Sequence, residues 1–172
     1  MNLPNKLCFL RLFLVLIIFI VLYSEINYYS YIATAIFIVA ALTDVIDGYI
    51  ARTKNQVTDF GKFIDPLVDK ILVISVMIYL VAKQIIPDWT VIVIVTREFA
   101  ILGLRIISAS KGIVIAASTL GKLKTQSQII AIIFILLELP FYYLITIIAV
   151  LLTVLSGVDY LWKGKDIFKD QS

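Results

Sequence analysis

The sequence predicts an all-α polytopic membrane protein of six transmembrane helices with both termini in the cytoplasm. Three observations carry that expectation. The chain is 62% hydrophobic, with a mean hydropathy of +1.04, whereas a soluble domain is about half apolar. Its uncharged runs reach the length of membrane spans once the charged residues at their ends are counted as helix. Its lysines and arginines collect in alternate connections. A globular core built from 172 residues could not enclose so much apolar side chain, so lipid must solvate part of it. The length accommodates about six helices of about 20 residues. It leaves nothing for a second domain, so residues 1–172 are read as a single membrane domain.

Taken in order, the expected spans are roughly 8–23, 28–51, 62–83, 88–109, 125–138 and 141–160. The first imitates a signal peptide, since Lys6 and Arg11 precede an apolar run. No small-x-small cleavage site follows it, so it is read as an uncleaved span. Pro87 and Pro140 fall in the turns before the fourth and sixth helices, where a helix cannot continue. Pro66 lies near the start of the third, tolerable in a first turn and otherwise freeing the carbonyl of Lys62. Basic residues mark the N-terminus (Lys6, Arg11), the second connection (Arg52, Lys54, Lys62), the fourth (Lys111, Lys122, Lys124) and the tail (Lys163, Lys165, Lys169). The first and fifth connections carry none and the third only Lys83, which places both termini and the even connections inside. Tyr28, Tyr29, Tyr160 and Trp162, near span ends, are read as interfacial anchors.

Composition narrows the chemistry. A net charge of +3, spread along the chain, does not suit nucleic acid; it suits an anionic membrane surface or a phosphate-bearing substrate. One cysteine, Cys8, excludes an intrachain disulfide and a multi-cysteine metal site. With no histidine, the commonest general base and transition-metal ligand are missing. Catalysis must rest on carboxylates, lysine, arginine, hydroxyls or a metal held by oxygen.

Acidic residues are costly at the end of a lipid-embedded helix. Asp44 and Asp47 end the second span; Asp65 and Asp69 begin the third. Positions 44, 47, 48 and 51 share one helix face, so both aspartates lie beside the smooth strip of Gly48 and Ala51. Gly61, Asp65 and Asp69 step by four and share another. If the short connection 52–60 folds the helices back antiparallel, the two acidic faces meet at the cytoplasmic end. Four carboxylates there need a counter-charge. With oxygen ligands alone, Mg²⁺ or Mn²⁺ is the natural occupant, and a pair of such ions is a common clamp in phosphoryl chemistry. The bland alternative is ion pairing with Arg52, Lys62 and Lys70, which accounts for one aspartate more easily than for four.

The run Asp44-Val-Ile-Asp47-Gly48-Tyr-Ile-Ala51-Arg52, then Gly61, Asp65 and Asp69 at their spacings, resembles the signature of the CDP-alcohol phosphatidyltransferase family at every fixed position. The segments 2–7 with Arg11, 65–70, 97–105 and 117–126 are similar to the phosphatidylglycerophosphate synthase branch of that family. The resemblance implies a six-helix bundle, usually a homodimer, with its active site open to the cytoplasm and to lipid. It implies two divalent ions, Mg²⁺ or Mn²⁺, held by Asp44, Asp47, Asp65 and Asp69, with Asp69 also the general base. It further implies that Gly48 and Gly61 let the cytidine diphosphate approach the backbone and that Ala51 lines the same strip. Arg52 fits the signature either as a phosphate ligand or as a brace for the loop.

The implied substrates are CDP-diacylglycerol and, for that branch, glycerol 3-phosphate. Arg105, Lys122 and Lys124 are three cations near the cytoplasmic ends of the fourth and fifth spans, and with the amides opening the fifth helix they suit a phosphate. Lys122 and Lys124 are equally well read as plain positive-inside residues. Arg97 and Glu98, being adjacent, point about 100° apart; they are not expected to pair with each other, and each is read as an ion-pair or packing residue. Other acceptors in the family are phosphatidylglycerol, inositol phosphate and serine. A different class, a cation transporter with intramembrane carboxylates, commonly shows internal repeats, and the sequence has none.

Overall fold

A computed structural model describes residues 3–24, 26–53, 59–110 and 118–164. Within these the chain forms six α-helices and no strand: α1 Leu3–Ser24, α2 Tyr29–Thr53, α3 Asp59–Ala82, α4 Asp88–Ser110, α5 Thr119–Leu136 and α6 Tyr142–Lys163. The all-α expectation and the order of helices hold. Two helices, over 7–24 and 142–163, are long and apolar enough to cross a membrane by length and composition. The boundaries differ from expectation where charges were read as loop. Helix α3 starts at Asp59, so Pro66 lies well inside it rather than in its first turn; the carbonyl of Lys62 therefore lacks its i+4 amide donor. Helix α5 starts at Thr119, because the Ser118 hydroxyl accepts the Gly121 amide N–H at 3.0 Å and caps it.

The chain divides into two compact units, Met1–Tyr79 with Leu136–Leu139, and Leu80–Ile135 with Pro140–Ser172. In the first unit α1 packs on α2. Helix α1 buries Cys8, Arg11, Val15, Ile18 and Leu22, a three-four repeat along one stripe. Its opposite side exposes Phe13, Leu16 and Ile20. Helix α2 buries Ala33, Phe37 and Ala40 at the same repeat, the alanines allowing close helix approach; Asp44 is the next position on that stripe. The phenol of Tyr79 on α3 donates to the Leu22 carbonyl at 3.0 Å. That carbonyl lies in the last turn of α1, where no intrahelical donor remains.

In the second unit α4 packs on α6. The buried stripe of α6 is Thr146, Ala149, Val150, Thr153, Ser156, Gly157 and Tyr160, rich in small residues. On α5 the buried positions include Lys124, Gln128, Ala131, Ile132 and Ile135. The Gln128 amide donates to Thr153 Oγ1 at 2.9 Å, and that hydroxyl donates to the Ala149 carbonyl at 2.7 Å. Tyr160 is 5% exposed. It is therefore a core residue and not the interfacial anchor expected, because its hydroxyl accepts the Ser118 amide N–H at 3.2 Å inside the unit. Tyr28 and Trp162 are exposed, at 75% and 72%.

The Gln128–Thr153 pair yields a direct test. Thr153→Val strips a buried amide of its acceptor and should destabilise the purified protein by about 1 kcal/mol. Adding Gln128→Leu should recover part of that loss, read as the unfolding midpoint in detergent.

Candidate active site

Asp44 and Asp69 sit on different helices, α2 and α3, and converge on one side chain. Arg11 of α1 has no exposed side-chain surface. Its Nη1 contacts Asp69 Oδ1 in a short hydrogen bond and lies 3.4 Å from Asp44 Oδ1. Its Nε donates to Thr43 Oγ1 at 3.4 Å, and that hydroxyl donates to the Ala40 carbonyl at 2.6 Å. The carboxylates stay accessible, with side chains 43% and 34% exposed for Asp44 and Asp69. The buried guanidinium thus contacts two carboxylates that are themselves part-exposed.

A single nitrogen touching an oxygen from each aspartate brings two carboxylates from different helices to face one cation. An all-oxygen, doubly anionic donor pair fits a hard divalent ion such as Mg²⁺ or Mn²⁺. Among the described residues no group of three metal-ligating side chains forms a cluster. Asp47 lies one turn beyond Asp44 on α2, and Asp65 one turn before Asp69 on α3. For Asp47 and Asp65, as for Gly48, Ala51, Arg52 and Gly61, only the helical backbone is described. Sequence reasoning used Arg11 as a topology marker and as part of the N-terminal resemblance, and missed its place here. The available signal was a cation at position 11, in register with apolar positions 8, 15, 18 and 22.

The second unit holds the other expected residues, and they differ in environment. Arg105 and Lys122 are exposed, whereas Lys124 is 5% exposed. Lys124 Nζ forms a short ion pair with Glu98 Oε1, and Arg97 Nη1 lies 3.2 Å from the same oxygen. This corrects the expectation that Arg97 and Glu98 do not pair. Adjacent side chains leave a helix in different directions, but arginine is long enough to turn back to its neighbour. Arg97 Nη2 also donates to Ser156 Oγ, and its guanidinium lies 5.5 Å from the centroid of the Tyr160 ring. Its Nε has no hydrogen-bond partner among the described residues. Gly157 makes room for this side chain: a Cβ there would lie 3.1 Å from Arg97 Cγ. Gly121 does the same beneath Tyr160, at 3.2 Å from Cε2. Arg97, Glu98 and Lys124 form a charged cluster in a largely apolar bundle. One buried carboxylate, shared by two cations, makes that tolerable.

Known proteins match this chain along most of its length. The family model for CDP-alcohol phosphatidyltransferase covers residues 1–155. A Bacillus subtilis CDP-diacylglycerol–glycerol-3-phosphate 3-phosphatidyltransferase is 43% identical, over 98% of this chain and 97% of its own. A Rickettsia typhi protein of the same name is 35% identical over 97% and 99%. A probable phosphatidylglycerophosphate synthase of Mycobacterium tuberculosis is 40% identical over 92% and 79%. These matches, on a chain whose two described signature aspartates meet at one cation, establish that it belongs to the CDP-alcohol phosphatidyltransferase family.

Proposed function

We propose that this chain transfers the phosphatidyl group of CDP-diacylglycerol to glycerol 3-phosphate, yielding phosphatidylglycerophosphate and CMP. The observation that supports it most is the convergence of Asp44 and Asp69 from separate helices on one cation, together with full-length relatives named for that reaction. In this reading residues 1–172 form a single six-span domain of the cell membrane. Both termini and the active site face the cytoplasm, and the assembly is a homodimer. The apolar faces of α1 and α6 meet lipid, where Leu16 and Leu151 are exposed.

Asp69 accepts the proton of the acceptor hydroxyl. That oxygen attacks the phosphorus bearing diacylglycerol, and the bond from phosphorus to the CMP oxygen breaks. Asp44, Asp47, Asp65 and Asp69 are the residues that would hold divalent ions. Bound there, two Mg²⁺ or Mn²⁺ ions would neutralise the pyrophosphate and the departing CMP. Gly48, Ala51 and Gly61 keep the strip beside the aspartates free of bulk for the cytidine diphosphate. Arg52 carries a charge to the same end of α2. Arg105 and Lys122, exposed cations, are assigned to the acceptor phosphate. Lys124 is assigned with them, and its pair with Glu98 fixes its ammonium.

A panel of radiolabelled acceptors with purified protein, CDP-diacylglycerol and Mg²⁺ or Mn²⁺ tests the function. Glycerol 3-phosphate should be the best acceptor. Preference for inositol phosphate, serine or phosphatidylglycerol would change the acceptor while keeping the phosphatidyl transfer.

Three further outcomes are expected. With Cys8 replaced by serine, a cysteine at position 54 should label from the cytoplasmic side and one at position 27 from the outside; the reverse pattern would invert the topology. Asp69→Asn should lower kcat by at least about 100-fold with CDP-diacylglycerol binding largely kept, whereas Asp44→Asn should raise the metal concentration needed for half-maximal rate. Near-normal kcat in Asp69→Asn would remove it as the base. Arg105→Gln should raise the KM for glycerol 3-phosphate by about 10-fold or more, the value of one charge-assisted contact, and leave the KM for CDP-diacylglycerol near its starting value. An unchanged acceptor KM would remove Arg105 from the phosphate site.

A further inference from the structure

Arg11 contacts two of the carboxylates assigned to metal, and its charge has the sign of the ion they would bind. It has no exposed side-chain surface. Among the described residues, contacts from α2 and α3 hold it, with Asp69, Asp44 and the Thr43 hydroxyl. The cation is therefore part of the packed bundle rather than a mobile surface group. A fixed positive charge in direct contact with both carboxylates repels a divalent ion on the same oxygens. Its Nη1 contacts Oδ1 of both Asp44 and Asp69, oxygens that a metal ion held by these residues would also use.

We propose that Arg11 is a positioning residue that competes with divalent cations for Asp44 and Asp69 and so holds the metal affinity of the site down. The inference rests on the metal-site reading given above. A purely structural pin makes a different prediction. Removing a pin loosens the two helices and weakens metal binding; removing a competitor strengthens it.

The test is Mn²⁺ binding to the purified full-length protein in detergent, followed by the electron paramagnetic resonance signal of free Mn²⁺. Arg11→Gln keeps a hydrogen-bond donor and removes the charge, and should lower the Kd for Mn²⁺ by about 10-fold or more. It should also enlarge the rise in Tm that Mn²⁺ produces. Arg11→Lys keeps the charge and should stay within about threefold of the parent. The double variant Asp44→Asn, Asp69→Asn should lose Mn²⁺ binding. If the double variant binds like the parent, these carboxylates are not the Mn²⁺ site, and the metal reading and the inference fall together. If the double variant loses binding but Arg11→Gln binds Mn²⁺ equally or more weakly, the inference alone is overturned. Arg11→Lys decides independently of how well the glutamine variant folds: a Kd shift beyond 10-fold in either direction would show that side-chain shape rather than charge governs the site.

Discussion

Burying an arginine among apolar helices costs several kcal/mol unless its charge is matched, and in the first unit everything near the candidate site follows from how that cost is met. The guanidinium of Arg11 has no exposed side-chain surface, so Asp69 and Asp44 must come to it. One is on α3 and the other on α2, and these two signature aspartates are thereby drawn to one place by an α1 residue that the signature does not include. The apolar stripe of α1 above and below Arg11 sets its depth. The alanines of α2 let the helix come near enough for the contact. Local packing and the electrostatics of the site are thus the same set of contacts seen from two sides.

The second unit solves the same problem with the signs reversed. There one anion, Glu98, serves two cations, Arg97 and Lys124. Two glycines supply the space: Gly157 beside the arginine and Gly121 beneath Tyr160. Tyr160 in turn receives the Ser118 amide, and Ser118 caps α5. A chain of contacts therefore links the buried charge cluster to the helix start near which Lys122 and Lys124 lie. The first unit buries one cation against two part-exposed carboxylates, and the second buries one carboxylate together with both of its cations.

Much of the fold was legible because hydrophobic length is a coarse and robust signal. The six helices fall where the apolar runs lie. What failed did so for identifiable reasons. The start of α5 was set too late because Lys122 and Lys124 were read as loop charges, whereas Glu98 lets Lys124 sit inside a helix at little cost. The Arg97–Glu98 contact was missed because direction from the helix axis ignores the reach of a long side chain. Tyr160 was misread because aromatic residues near a helix end suit an interface and a core equally, and only the partner of the hydroxyl decides between them. Arg11 was placed on the correct helix but given no role, since a pairing 58 positions away leaves no periodic trace.

The Tyr79–Leu22 contact has a mechanical consequence when set beside Arg11. Helix α1 is held at Arg11 by a charge and at Leu22 by a phenol, points about 16 Å apart at the rise of an α-helix. A rod fastened at two stations can neither slide like a piston nor swivel about its axis. Both fastenings run to α3, so those two helices must travel as one stiff frame. Any flexing of the first unit must be hinged elsewhere.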